Sequence, residues 1–259
     1  MGAAGLDPLN GNADYCTESI NELFFFKVDN LATSFGFQCS NALPSASINA
    51  SSINLLGFTS CSGLVSSEKS FNVNATNLVD NLIISAPSSF EISTTSGSGF
   101  TSTITLVPTS GVVSNTTLYV RTTSSATNSA TGNIVLSSTN TTSLNVATGT
   151  ATINSSPVIT TQPATSTQNL AQNATPTNLS VVATGTGLTY QWYSNSTNSN
   201  TGGTLINGAT SASYSPSTST GGTLYYYVVV SGTCTPAVTS NISGSITTTI
   251  PNLDTDGDG

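Results

Sequence analysis

Apolar and polar residues alternate in short runs along most of the chain, and each run closes on Ser, Asn, Gly or Pro. In residues 70–75 (SFNVNA), Phe71, Val73 and Ala75 alternate with polar residues. Similar runs occupy 47–55, 82–85, 90–93, 101–107, 117–122, 132–137 and 143–153. A period of two puts successive side chains on opposite faces of a strand. Strands at this spacing, with turn residues between them, predict a sandwich or barrel. Ile104 and Leu106 share a face with Ser102, while Leu118 and Val120 oppose Tyr119 and Arg121. Arg121, the only arginine, is therefore expected on the outer face, solvated or paired with a nearby carboxylate.

Ser155-Ser156-Pro157 reads as a linker, and a second series of strands follows from 158 to about 250. Leu179, Val181 and Ala183 form one apolar face, and Leu188, Tyr190 and Trp192 another. The run 224–230 (LYYYVVV) is apolar on both faces, so one face is expected to meet a neighbouring domain. The only tryptophan, a polar excursion and a Tyr-bearing return strand resemble the middle of an immunoglobulin-like sandwich. On that layout Tyr227 takes the place of the second core cysteine, Tyr225 is the candidate tyrosine corner, and Trp192 packs on Val181 and Tyr227. The expected fold class is all-β, with two tandem antiparallel β-sandwich (Ig-like) domains. The expected division is an N-terminal arm over 1–43, a sandwich over 44–154, an Ig-like sandwich over 157–250 and an acidic tail over 251–259.

Composition narrows the function. Charged residues are only 5% of 259, the net charge is −8, and there is no histidine. Three cations cannot neutralise a run of phosphates, so nucleic acid is excluded as a partner. No apolar stretch reaches the length of a membrane helix, so no membrane insertion is expected. Without histidine, Ser-His-Asp and Cys-His nucleophiles and His-ligated zinc are unavailable. Asp80 and Glu91 are the carboxylates that sit near each other inside the patterned region, and a two-carboxylate glycosidase is the residual enzymatic option. The expectation is no enzyme and no catalytic residues.

Residues 1–43 differ from the rest, carrying five of the acids, two cysteines and Phe24–Phe26. A short helix over 17–27 capped by Thr17 competes with an extended arm. The start Met1-Gly2-Ala3-Ala4-Gly5 has no positive region typical of a signal peptide, so a signal was removed or the chain is an internal piece. Cys16, Cys39, Cys61 and Cys234 allow three pairings. Cys16 with Cys39 is the more local, leaving Cys61 with Cys234 or both as free thiols.

Several segments carry a family resemblance. In the second domain they are Ile159-Thr160-Thr161-Gln162-Pro163, Tyr190-Gln191-Trp192-Tyr193, Asn207-Gly208-Ala209-Thr210, Tyr214-Ser215-Pro216 and residues 225–230. In the first they are Ser70-Phe71-Asn72-Val73, Ala86-Pro87, Phe90-Glu91-Ile92-Ser93, Gly99-Phe100, Tyr119-Val120-Arg121 and residues 145–150. They resemble tandem Ig-like and β-sandwich repeats of very large secreted, gliding-adhesin-like surface proteins of Bacteroidetes-type bacteria. The resemblance covers roughly 46–250. It implies an extracellular, cell-surface location and a structural or adhesive role among neighbouring domains of a longer chain.

Asp254-Thr255-Asp256-Gly257-Asp258-Gly259 is the sharpest chemical motif. Acids at positions 1, 3 and 5 with Gly at 6 match the opening half of a calcium loop. It resembles the start of a thrombospondin-type-3-like repeat, with Asp254, Asp256 and Asp258 as metal ligands. Calcium is the expected cofactor, in a site left incomplete here. Two rival roles stand beside adhesion. A carbohydrate-binding module would stack surface glycans on Tyr193, Tyr214 and Tyr226. A filament subunit would self-associate through edge strands.

Overall fold

The computed structural model describes residues 45–251. The expected helix over 17–27, the arm around it, Cys16, Cys39 and the Asp254–Asp256–Asp258 motif lie outside them. The described residues are all β, and two sandwiches follow one another along the chain.

The first sandwich comprises β1 (Ser47–Asn54), β2 (Thr59–Cys61), β3 (Lys69–Thr76), β4 (Leu82–Ser85), β5 (Phe90–Ser93), β6 (Thr103–Leu106), β7 (Val113–Thr122), β8 (Asn133–Ser137), β9 (Leu144–Ala147) and β10 (Thr152–Asn154). One sheet runs β1-β3-β7-β5 and the other β6-β4-β8-β9, all antiparallel. Alternation decides which face each strand turns inward. Phe71, Val73 and Ala75 of β3 meet Leu118 and Val120 of β7, Phe90 and Ile92 of β5, and Leu82, Ile84, Ile134 and Leu136 of the facing sheet. Phe58 closes this core with its ring edge-on to Phe90 at 5.2 Å.

The run 143–153 was expected as one strand and is two. β9 stays in its sheet, and β10 leaves to pair in parallel with β2. The break falls at Thr148 and Gly149. Thr148 Oγ1 accepts from the Gly132 N–H at 3.0 Å, and the Gly149 N–H donates to Leu55 O at 2.6 Å. A Cβ on Gly149 would lie 2.8 Å from that same oxygen, so only glycine lets the chains approach this closely.

The second sandwich comprises β11 (Val158–Thr161), β12 (Gln168–Ala171), β13 (Leu179–Ser180), β14 (Val182–Thr184), β15 (Thr189–Asn195), β16 (Thr204–Leu205), β17 (Ser213–Tyr214), β18 (Gly222–Ser231), β19 (Val238–Thr239) and β20 (Ile246–Thr249). The larger sheet runs β12-β20-β18-β15-β16, with β19 also on β18; β11–β14 and β13–β17 form the shorter ladders. β12 and β20 run parallel, so the sandwiches are antiparallel except for this ladder and β2–β10.

The register corrects the expected face of β18. Trp192 pairs with Val228 and Tyr193 with Tyr227. Paired residues share a face, so the core side of β18 is Leu224, Tyr226, Val228 and Val230. Tyr227 therefore does not take the core-cysteine position and does not pack on Trp192. Its ring stacks on Tyr193, with centroids 5.1 Å apart, on the opposite face, and its hydroxyl accepts from the Gly203 N–H at 3.1 Å. Tyr225, on that same opposite face, loses the corner role with it. Trp192 packs with Leu179, Val181, Tyr226, Val228, Val230 and Ile246. Its indole N–H donates to Ser211 O at 2.9 Å, so its one polar group is satisfied.

Buried serines extend the ladders where β19 gives out. Ser240 Oγ accepts from the Val228 N–H at 3.0 Å and Ser243 Oγ from the Tyr226 N–H at 2.9 Å. Both serines return a backbone N–H to the same residue.

Candidate functional site: the junction between the sandwiches

The densest chemistry among the described residues lies where the sandwiches join. Cys61, at the end of β2, is disulfide-bonded to Cys234, in the loop after β18, across a sequence separation of 173. This resolves the pairing of Cys61; Cys16 and Cys39 lie outside the described residues. β2 pairs with β10, and Cys61 stands opposite Asn154, the last residue before the linker. The bridge and the peptide linker thus cross from one sandwich to the other side by side. Cys234 is 1% exposed, and its Sγ packs 3.6 Å from Asn154 O. A disulfide sulfur has no proton to donate, so this contact is packing.

Backbone bonds knit the same place. The Ser62 N–H donates to Asn154 O at 2.8 Å. The Ser155 N–H donates to Thr186 Oγ1 and the Thr186 N–H to Ser155 O, both at 3.0 Å. The Thr233 N–H donates to Thr186 O at 2.8 Å. The β14–β15 turn and the β18–β19 loop are therefore both tied to the linker. Gly185 and Gly232 make room for it: a Cβ on Gly185 would lie 3.0 Å from Pro157 Cα, and one on Gly232 3.0 Å from Pro157 Cγ. Thr186, Asn154 and the two glycines carried no pattern in the sequence. The one available signal was a cysteine in the loop after the Tyr-rich strand.

The other candidate residues are scattered. Of the tyrosines expected as exposed sugar platforms, Tyr226 is inside and Tyr214 is half-buried against the core. Tyr226 is 2% exposed, and Tyr214 lies between it and Trp192, with ring centroids 5.5 and 5.8 Å away. For Tyr226 the cause is the β18 register, which turns the even-numbered side chains of that strand inward. Burial and the neighbouring Tyr214 push the Tyr226 hydroxyl up to about 12. Burial also raises Tyr214, against a backbone hydrogen bond from Ser217 that lowers it. Tyr193 remains half-buried on the outer face.

Arg121 is on the outer face, its Nε 2.7 Å from Glu91 Oε1 and its guanidinium 3.9 Å above the Phe100 ring. Glu91 is thereby occupied as an ion-pair partner. Asp80 sits in the loop before β4 and accepts from the Asn81 N–H at 2.7 Å and Thr139 Oγ1 at 2.9 Å. The Asn81 bond, with the Thr139 bond second, holds its carboxyl below the usual range. Each acid thus serves its own local structure. No group of three or more His, Cys, Asp or Glu side chains placed to hold a metal occurs among the described residues.

The ladders and the two cores define a tandem pair of Ig-like β-sandwiches. A family model described as a domain of unknown function (DUF8696) matches residues 160–250, essentially the second sandwich. No curated protein matches the chain. Among solved structures it is similar to an I-band fragment of titin, with 7% identity and a TM-score of 0.41, covering 81% of this chain and 66% of that one. It is also similar to the N-terminal eight Ig domains of Down Syndrome Cell Adhesion Molecule, with 11% identity and a TM-score of 0.38, covering 80% of this chain and 25% of that one. A third is the fibronectin(III)-like modules of Clostridium thermocellum CbhA, with 14% identity and a TM-score of 0.29, covering 81% and 96%. The chain spans about two thirds of the titin fragment and a quarter of the adhesion-molecule fragment.

Proposed function

We propose that the chain is a non-enzymatic, extracellular structural or adhesive module of a bacterial cell-surface protein, joined to neighbouring domains of a longer chain. The observation that carries this reading is the Cys61–Cys234 bridge between two sandwiches. Disulfides persist in oxidising, extracellular compartments. A hinge between Ig-like domains normally has one covalent crossing, whereas here there are two, and linker hydrogen bonds reinforce them. Such a joint suits a part that holds an orientation. Calcium bound at Asp254, Asp256 and Asp258, with ligands from further sequence, would stiffen the next connection.

Small-angle scattering across a concentration series, with calcium and with chelator, tests the reading. A monomer whose profile does not change with concentration supports it. Growth with concentration transfers the chain to the filament-subunit reading, with edge strands β1 and β6 as the pairing sites. Binding on a glycan array that is lost on Tyr193→Ala transfers it to the carbohydrate-binding reading. Tyr193 lies on the face of its strand opposite the core, half-buried against Tyr227.

A further inference from the structure

We propose that the Cys61–Cys234 disulfide makes the tandem pair a length clamp: tension applied at its two ends passes through the bridge, leaving residues 62–233 outside the stretched path. This rests on the structural-module reading, which supplies the tension.

The argument is one of covalent topology. Two routes lead from Cys61 to Cys234. The peptide route follows a sequence separation of 173, while the bridge spans a Cα–Cα distance of 5.9 Å. Tension follows the shorter route, because the longer one stays slack until the shorter breaks. At about 3.3–3.6 Å per extended residue, the bypassed chain holds roughly 600 Å of length that cannot be released.

The elements on each side of the bridge fit this role. Only β1, β2, β19 and β20 lie on the stretched path, together with the segments joining them. β1 is an edge strand, held by β3 alone. β20 is antiparallel to β18 and ends where β18 begins, with Thr248 opposite Gly222, whereas Cys234 lies just beyond the far end of β18. The segment after Cys234 therefore already traverses the second sandwich and has little slack to give. The central ladders β3–β7, β4–β8 and β15–β18 belong wholly to the bypassed chain, and so do the buried residues of both cores except Leu55, Phe58 and Ile246. Burial against Asn154 O shields the Cys234 sulfur from an attacking thiolate, which must reach a sulfur to exchange, while Cys61 is half-buried.

The test is single-molecule force extension of the full chain, tethered at both termini through thiol-free tags. The oxidised chain is compared with the double variant Cys61→Ser, Cys234→Ser, which keeps Cys16 and Cys39, so the difference isolates this one bridge. The expected result is a full extension about 600 Å shorter for the oxidised chain, without the unfolding steps of residues 62–233. The length difference holds even if the variant fails to fold, because contour length does not depend on folding. Equal extensions overturn the clamp and leave the structural-module reading standing. Concentration-dependent assembly or glycan binding in the scattering and array experiments overturns that reading and leaves the clamp as a property of the isolated chain.

Discussion

The Trp192 indole lies against the Tyr214 ring with centroids 5.8 Å apart and planes 29° from parallel, and the two rings come from opposite sheets. Together with Tyr226 they form the aromatic centre of the second core. Trp192→Ala removes the largest buried side chain and leaves a cavity, so it should cost about 3–5 kcal/mol. Chemical denaturation measures this, and a variant as stable as the parent would show that the core is wrongly described.

Tyr226 gives the chain an alkaline limit. Its hydroxyl is held at about 12 in the folded state against 10.0 unperturbed. The folded state binds this proton more tightly than the unfolded one. Its contribution is therefore complete below pH 10 and is lost as the pH climbs from about 10 to 12. Tyr214 acts in the same direction. Tyr226→Phe keeps the ring and removes the titration, so its stability curve should fall less steeply across that window. Denaturant midpoints at stepped pH, with tyrosinate absorbance alongside, report the comparison.

Gly244 sits where the approach to β20 crosses the segment before β12. A Cβ there would overlap Ser166 O and lie 2.5 Å from Thr165 O, both backbone atoms that cannot rotate away. Gly244→Ala should destabilise by about 1–3 kcal/mol or more. Amide exchange should show the loss first at the parallel β12–β20 ladder, and unchanged protection there would contradict the crowding.

Removing the bridge should separate the sandwiches thermodynamically. Cys61→Ser with Cys234→Ser should lower stability by about 2–5 kcal/mol. Calorimetry is expected to show one transition for the oxidised chain and two for the variant, since the linker bonds at Ser155 and Thr186 are then the remaining ties. A single transition in both would mean that those bonds suffice.

Much of the strand content was legible because its cause is local. Ser70–Ala75 and Phe90–Ser93 alternate strictly, Leu118 and Val120 are spaced by two in the 117–122 run, and one face of each is buried. The outward position of Arg121 followed from the same alternation. Short elements left no trace: β2, β16 and β19 have two or three residues each, too few for a period. Ser240 and Ser243, buried and doubly bonded to β18, look in sequence like the many surface serines around them.

The sequence by itself determined that the chain is all-β, where most of its longer strands lie, and that Trp192 belongs to a core. These follow from a period of two and from side-chain size, both readable within a few residues. The tertiary structure decided what alternation leaves undetermined. Residues 224–230 are apolar on both faces, so only the pairing of Trp192 with Val228 could choose Tyr226 as the inward tyrosine. Apolar residues recur through the run 143–153 (Leu144, Val146, Ala151 and Ile153), and only the approach of Leu55 O to Gly149 divides it. Cys61 finds Cys234 because β2 and the loop after β18 both reach the linker. Contacts between residues so far apart in the chain exist only once the chain has folded.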